Sequence, residues 1–250
     1  MGPWGNPARR TRLAALAVIS TAMTAGISCA HIDGDPDPGD PWERMNRGIF
    51  RFNEGADRWV IEPIAKGMDF IIPDPAERSI KKFFVNSMIP IHFTNALLQF
   101  KPVAAFEDLA RFVVNTTIGV AGFFDPATHF GLEAHREDFG QTLGYWGVPS
   151  GPYLVLPVLG PSNPRETVGL VADSAALVYP YFVPFYVSLS ISAGRQLNRR
   201  SLALDDIARE RAMALDYYVA VRNAYLSYRE NQIRDQEEDE ADDDDLYYLD

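Results

Sequence analysis

The sequence predicts an all-α protein in which amphipathic helices are joined by irregular loops rich in glycine and proline. Apolar residues recur at helical spacings of three and four along several stretches of the 250-residue chain. Glycine and proline, 18 of each, recur between those stretches and are densest from Gly140 to Pro164. Such a density prevents long regular elements, so this part of the chain is predicted to be a loop.

Residues 1–28 are predicted to be an export signal. Three arginines precede an apolar run from Leu13 to Ala25, which is too short to cross a bilayer as a helix and stops at small residues. Cys29 follows directly, as in a bacterial lipobox, although leucine is more usual than Gly26 at its position. We therefore expect Cys29 to carry a lipid anchor. The alternative is an ordinary signal peptide with an incidental cysteine.

The remaining chain divides into a tether, one domain and a tail. Residues 29–39 have no apolar periodicity. Ala30 follows the cysteine at a position where an aspartate often retains lipoproteins in the inner membrane, so alanine there favours sorting to the outer membrane. Residues 40–234 are one domain in length. Ten acidic residues from Asp235 to Asp250 account for most of the formal net charge of −11. Residues 235–250 are therefore predicted to be a disordered, solubilising tail, with a partner contact as the alternative.

The first helix is predicted to begin with Asp40 as its cap and Pro41 in its first turn. One face carries an apolar stripe at spacings of four, three, four and three: Met45, Ile49, Phe52, Ala56 and Trp59. The opposite face is rich in arginine, and a polar line lies on one flank: Asn46, Asn53 and Asp57. Pro63 is expected to end or kink the helix. The pattern suits an interfacial membrane helix, and a surface helix of a soluble protein is the alternative.

Two further helices are predicted at about residues 75–88 and 102–118. In the second of these, one face carries Phe106, Leu109, Val113 and Thr117. Glu107 and Arg111 lie one turn apart and are expected to pair. Gly119 and Gly122 interrupt this helix, and we interpret them as a bend or hinge.

The charge-free run from Ser174 to Gly194 is long enough to suggest a transmembrane helix. We predict that it does not span a membrane, because Pro180 and Pro184 break its middle. A broken apolar segment that lies in one leaflet or packs in the core fits better.

The last helix is predicted over about residues 202–230. Its wide apolar face includes Arg211, Arg222 and Arg229. A buried guanidinium needs a partner. Pairing with carboxylates such as Asp173 is one explanation, and contact with phosphate headgroups in a wet passage is the other.

The usual signatures of enzymes are missing from the sequence. It contains none of the motifs G-x-S-x-G, H-E-x-x-H, G-x-x-x-x-G-K-[ST] or G-x-G-x-x-G. The histidines lack the spacing of zinc ligands, and the body of the chain is not basic. We therefore predict no catalytic site, no metal, no cofactor and no nucleic-acid partner.

From Asp40 onward the chain resembles the MlaA (VacJ) family of lipoproteins, which maintain lipid asymmetry. The resemblance covers about 195 residues. The motifs that carry it are Asp40-Pro41-x-Glu43-x-x-Asn46-Arg47, Phe83-Phe84-x-Asn86, Asn95-x-Leu97-Leu98-Gln99, Arg111-Phe112-x-x-Asn115-Thr-Thr-Ile-Gly119, Gly122-Phe123-x-Asp125-Pro126-Ala127, Glu137-Asp138-Phe-Gly-Gln-Thr-Leu-Gly144 and Gly151-Pro-Tyr-Leu-Val-Leu-Pro157. The acidic tail lies outside the shared pattern. The sequence Pro164-Arg165-Glu166 stands where the family more often has arginine followed by aspartate.

The resemblance implies an all-α ring in the inner leaflet of the outer membrane, anchored on the periplasmic side. Phospholipid that has reached the outer leaflet would pass through a central amphipathic channel to a soluble periplasmic carrier. The resemblance also implies association with trimeric porins and no enzymatic activity. The alternatives are a lipase or peptidoglycan hydrolase, and a porin-associated structural lipoprotein without its own lipid channel.

Five residues are candidates for the wall of such a channel: Asn46, Arg47, Asn53, Asp57 and Arg222. A headgroup that crosses a low-dielectric ring must exchange water for fixed polar groups. Amides offer donors and acceptors, and arginine binds phosphate in a bidentate way. The alternative is that Asn46, Asn53 and Asp57 only tie the first helix to its neighbours.

Overall fold

A computed structural model of the protein describes residues 40–177 and 183–235. The predicted export signal, Cys29 and the tether lie outside the described residues, as does the predicted acidic tail after Asp235. No helix within the described ranges is long and apolar enough to cross a membrane.

The regular secondary structure of the described chain is helical apart from one short antiparallel hairpin, which confirms the all-α prediction. The elements in chain order are α1 (Glu43–Ala56), a π-helical turn (Asp57–Ile61), α2 (Glu62–Ile71), α3 (Asp74–Leu98), α4 (Pro102–Thr117), α5 (Pro126–His129), α6 (Phe139–Tyr145), β1 (Leu154–Leu156), β2 (Gly160–Ser162), α7 (Pro164–Ala176), α8 (Phe185–Leu202), α9 (Leu204–Met213) and α10 (Tyr217–Ile233). In the hairpin, Val155 lies opposite Pro161. The region from Gly140 to Pro164, predicted as a loop, therefore contains most of α6 and both strands.

The first helix differs from the prediction at both of its ends. Asp40 does not cap α1, because Trp42 is the N-cap residue and the buried Asp40 carboxylate instead accepts a hydrogen bond from the Asn46 amide. Pro63 does not end the helical path, which continues from α1 through the π-helical turn into α2. The Glu62 N–H donates to the Asp57 carbonyl five residues earlier, and Pro63 then occupies the first turn of α2. A proline is tolerated there because that turn needs no N–H from it.

Helix α3 extends ten residues beyond the predicted end at about residue 88 and contains Pro90 in its interior. An interior proline removes one backbone hydrogen bond. Helix α3 nevertheless continues past Pro90, and it packs along α4. The extent predicted for α4 is confirmed.

The predicted last helix is in fact the end of α8 followed by α9 and α10. Ala203 ends α8, and Ala214 follows α9 with an extended backbone. Asp216 starts α10 by accepting a hydrogen bond from the Val219 N–H. A capping aspartate favours a new helix start, which the apolar periodicity did not reveal.

The packing contacts among these elements close a circuit. Helix α1 leads into α2, which packs on α8, and α8 packs on α3. Helix α3 packs on α6, α6 on α10, and α10 on β2. Strand β1 then returns to α1. This closed order of contacts is what a ring of helices requires.

The turn after α4 has three consecutive residues with a left-handed backbone: Val120, Ala121 and Gly122. A Cβ on Gly122, whose φ is +92°, would lie 2.5 Å from the Cβ of Asn86 on α3. A Cβ on Gly119 would lie 2.4 Å from two backbone carbonyl oxygens. Both glycines are therefore required by close packing, and the hinge role of Gly119 and Gly122 stays a prediction.

Gly122→Val should destabilise the fold, because valine tolerates a left-handed backbone poorly and its side chain would collide with Asn86. We expect a loss of about 1–3 kcal/mol in unfolding free energy. The measurement is thermal unfolding of the detergent-solubilised protein. Gly67→Val on α2 is the matched control, since nothing lies within 4 Å of a Cβ there. Equal losses for the two variants would show that the turn does not require glycine.

Candidate functional site

The helices of this protein bury polar side chains and expose apolar ones. Among the described residues, 22 buried side chains are polar or charged and 13 are apolar. Helix α4 shows the arrangement most clearly: Phe106 is 67% exposed and Val113 is 52% exposed, whereas Asp108 and Arg111 are 1% and 6% exposed. The face of α4 predicted from its apolar stripe therefore points away from the protein interior.

Exposed apolar side chains are found beyond α4 as well. Large exposed side chains on the π-helical turn and α2 include Trp59, Ile64 and Phe70, and others follow on α7 and α8. Large exposed apolar patches are rare on soluble monomers and mark protein or membrane interaction sites.

A first cluster of charges, buried at Arg200 and half-buried elsewhere, joins α8 and α9 to the π-helical turn. The Arg200 guanidinium donates to the Asp57 carboxylate at 2.8 and 3.0 Å, and Arg211 donates to the same carboxylate at 2.8 Å. Arg211 also pairs with Glu54 at 2.9 Å. Burial alone would raise the pKa of Asp57, but hydrogen bonds from the two arginines hold it below its ordinary value.

A second cluster joins α10 to α6 and α7. Arg229 donates to Asp138 at 2.6 and 3.0 Å and also pairs with Glu166. Arg165 donates to the other oxygen of Glu166 at 2.7 and 2.9 Å. Burial opposes ionisation of the Asp138 carboxyl, but the charge and hydrogen bonds of Arg229 hold its pKa below the ordinary value.

The predicted pairing of the arginines with carboxylates is therefore found, but with other partners than Asp173. Arg222 lies 3.6 Å from the Asp40 carboxylate. Asp173 instead accepts hydrogen bonds from the Asn95 amide and the Phe139 N–H. The expected pair of Glu107 with Arg111 does not form, because Arg111 donates to Asp125 at 2.7 Å and Glu107 contacts His135.

Two asparagines of α1, seven residues apart, bind the hairpin segment through their amides. Asn46 donates to the Tyr153 carbonyl at 3.0 Å and accepts from the Val155 N–H at 2.9 Å. Asn53 repeats the pattern, donating to the Leu156 carbonyl at 2.9 Å and accepting from the Val158 N–H at 2.8 Å. These contacts fix the apolar segment in register along α1. They favour the alternative in which these residues tie the helix to its neighbours.

Three of the five predicted channel residues, Asn46, Arg47 and Arg222, lie around Asp40 and Tyr218, whereas Asn53 binds only the hairpin segment. Arg47 pairs with Glu43 at 2.7 Å and with Asp216 at 2.8 Å, and its guanidinium lies 4.4 Å from the centre of the Tyr218 ring. Tyr218 donates to Asp40, the carboxylate that also meets Asn46 and Arg222. Asp57 belongs to the first charge cluster instead. Whether any of the five meets a lipid headgroup stays a prediction.

Two of the cavities in the described part of the chain lie between the helices. One, of about 650 Å³, is lined mainly by charged residues of α2, α3, α8 and α9. It includes Glu77, which is 1% exposed, and burial raises the pKa of this carboxyl despite a hydrogen bond from Ser201. The other cavity, of about 320 Å³, is mainly apolar and lies between α3 and α4.

Sequence reasoning missed one cluster of possible metal ligands. Glu107, Glu133 and His135 each offer a ligand atom within 4.8 Å of the others. In the sequence, only Glu133 and His135 lie close together, as Glu-x-His. Glu107 belongs to α4 and comes near them only in the folded chain. The His135 imidazole and the Glu107 carboxylate are 2.7 Å apart and form a pair without an ion.

Comparison with known proteins agrees with this architecture. The family model described as MlaA lipoprotein matches residues 38–232. An uncharacterized protein of Rickettsia typhi is 33% identical over 196 residues, 78% of each chain. The intermembrane phospholipid transport system lipoprotein MlaA of Escherichia coli is 31% identical over 223 residues, 87% of this chain and 86% of the relative. The protein of the same name from Haemophilus influenzae is 32% identical over 209 residues, 78% of this chain and 80% of the relative.

A structure solved in work on the structural basis for maintenance of bacterial outer membrane lipid asymmetry is also similar. It superposes with a TM-score of 0.69 at 30% sequence identity and covers 78% of this chain and 98% of its own.

Asp57→Asn should destabilise the protein at neutral pH, because it removes the carboxylate that Arg200 and Arg211 share and leaves them only Glu54 and the longer contacts with Glu62. We expect a loss of about 2 kcal/mol, or roughly 4–8 °C in the unfolding midpoint. The lowered pKa of Asp57 stabilises the fold above the pKa of the unfolded chain, so the difference from wild type should shrink as the wild-type carboxyl is protonated below about pH 4. Asp206→Asn, in an exposed pair, is the control. A pH-independent difference would contradict this account.

Proposed function

Because the chain belongs to the MlaA lipoprotein family, we propose that it removes phospholipids from the outer leaflet of a bacterial outer membrane. Relatives that carry a functional name belong to an intermembrane phospholipid transport system. In our proposal the lipid passes through the interior of the helical ring to a soluble periplasmic carrier. Transfer of this kind makes and breaks no covalent bond, so it requires no catalytic residues.

The reversed polarity of the helices is the observation that carries the proposal. In water, an outward face such as Phe106 and Val113 would be unfavourable, but acyl chains solvate it in a lipid leaflet. The buried polar groups then lie where a headgroup can exchange its water for fixed charges and amides. We propose that the ring lies in the inner leaflet, held on the periplasmic side by a lipid on Cys29.

In this proposal the five candidate channel residues build and position the channel wall. Asn46 and Asn53 hold the hairpin segment along α1. Asp57 fixes α8 and α9 against the same helical path through Arg200 and Arg211. Arg47 and Arg222 join α1 and the adjoining Asp40 to the start of α10. Trimeric porin and the periplasmic carrier are the proposed protein partners, as the family resemblance implies.

The test is deletion of the gene followed by complementation, with outer-leaflet phospholipid measured through an outer-membrane phospholipase reporter. Wild-type protein should restore low surface phospholipid. Cys29→Ala at equal expression should not, because the unanchored protein cannot stay at the membrane. Ser28→Ala, which keeps a small residue before the cysteine, is the matched control and should restore it.

Unchanged lipid asymmetry in the deletion strain would contradict the proposal. If the protein then co-purified with porin but without lipid, it would be a structural lipoprotein. Release of fatty acid from phospholipid by the purified protein would instead indicate a lipase.

A further inference from the structure

Two carboxylates and one imidazole meet where the segment between α5 and α6 lies against α4. Glu107 comes from α4, whereas Glu133 and His135 come from the segment that follows α5. Each of the three offers a ligand atom that lies within 4.8 Å of the other two. Carboxylate oxygens together with an imidazole nitrogen form a ligand set that divalent transition-metal ions accept. The proposed route for phospholipid uses none of these residues.

The spacing of the histidines alone predicts no metal site, because only one ligand of this set is a histidine. Glu107 lies 28 residues before His135 in the chain. The short pattern Glu133-x-His135 is too common to be specific. The cluster therefore becomes visible only when the segment is folded onto α4.

Two buried residues of α4 hold the segment in place on either side of Glu133. The Arg111 guanidinium donates to the Leu132 carbonyl at 2.6 Å, and the Asp108 carboxylate accepts from the His135 N–H at 3.2 Å. The backbone of residues 132–135 is thus fixed to the same helix that carries Glu107. A ligand set that is already positioned costs less conformational entropy when it binds an ion.

The charges of the cluster favour a bound cation. The Glu107 carboxylate lies 2.7 Å from the His135 imidazole, and within the described residues Glu133 pairs with no arginine or lysine. Two carboxylates that share a site repel each other, and a divalent cation between them reverses this effect. Glu133 is exposed, so an ion can reach the cluster from solvent.

We propose that Glu107, Glu133 and His135 bind one Zn²⁺ ion, with water completing a four-coordinate shell. The ion links the segment between α5 and α6 to α4. Zn²⁺ accepts mixed nitrogen and oxygen ligands, whereas Mg²⁺ and Ca²⁺ prefer shells made of oxygen alone. The hydrogen bond between Glu107 and His135 gives way to the ion, because a ligand atom must be deprotonated before it binds a metal.

The experiment measures Zn²⁺ binding to the purified full-length protein in detergent, after its metals have been removed with EDTA. Isothermal titration with Zn²⁺ is carried out in excess Mg²⁺, which occupies the carboxylates of the acidic residues after Asp235. Wild-type protein should bind one Zn²⁺ per chain. His135→Gln should weaken this binding at least about 100-fold, because even the loss of a residue that only supports a ligand costs about 10- to 100-fold.

His129→Gln is the matched control, since His129 is an exposed histidine of α5 that does not belong to the cluster. It should bind Zn²⁺ as the wild type does. Zn²⁺ should also raise the unfolding midpoint of the wild type and of His129→Gln, but not that of His135→Gln, because an ion that binds only the folded chain stabilises it.

X-ray absorption at the zinc edge of the wild-type complex decides the matter if His135→Gln fails to fold. It should show one imidazole ligand and otherwise oxygen ligands. A shell with two or more imidazoles, or with none, would place the ion elsewhere and overturn the inference.

Absence of saturable Zn²⁺ binding by the wild-type protein would also overturn it. So would equal binding by the wild type and a folded His135→Gln variant, which would indicate an adventitious ion only. Each of these results would leave the proposed function intact, because the proposed lipid transfer requires no metal.

Discussion

The pairing of buried charges is the constraint on which the rest of this structure depends. Within residues 40–177 and 183–235, each buried arginine meets a carboxylate: Arg111, Arg165, Arg200, Arg222 and Arg229. Most of these pairs join segments that are far apart in the chain. Removal of one partner would leave an uncompensated charge in the interior, which is strongly destabilising. The apolar core is small by comparison and lies mainly beneath the hairpin, around Tyr153 and Val155.

A fold held by paired charges can turn its apolar side chains outward, and this is how structure and proposed function are connected. The ion pairs and asparagine hydrogen bonds fix the order in which helices contact one another. The exposed aromatic and aliphatic side chains are then available to acyl chains. The proposed route for a headgroup passes through the polar interior. Each part of an amphipathic lipid thus meets a matching environment.

The sequence predicted the helical class, the extent of α4 and the family, because these depend on local periodicity and motifs. It did not predict which face of a helix is buried, since the stripe of Phe106 and Val113 has the same period whether it meets a core or lipid. The partners of Asn46 and Asn53 in the hairpin segment lie more than 100 residues away, so no local pattern reveals them. The break between α9 and α10 lacks glycine and proline, and only the capping Asp216 signals it.

The most direct test of the reversed polarity is spin-label accessibility in phospholipid vesicles. Nitroxides placed singly at Phe106, Val113 and Ile64 should be more accessible to oxygen than to a water-soluble nickel chelate, as in a lipid environment. A nitroxide at Asp206, in the charged surface of α9, should show the opposite order. Higher accessibility to the nickel chelate at the three apolar positions would show that they face water and would contradict the account.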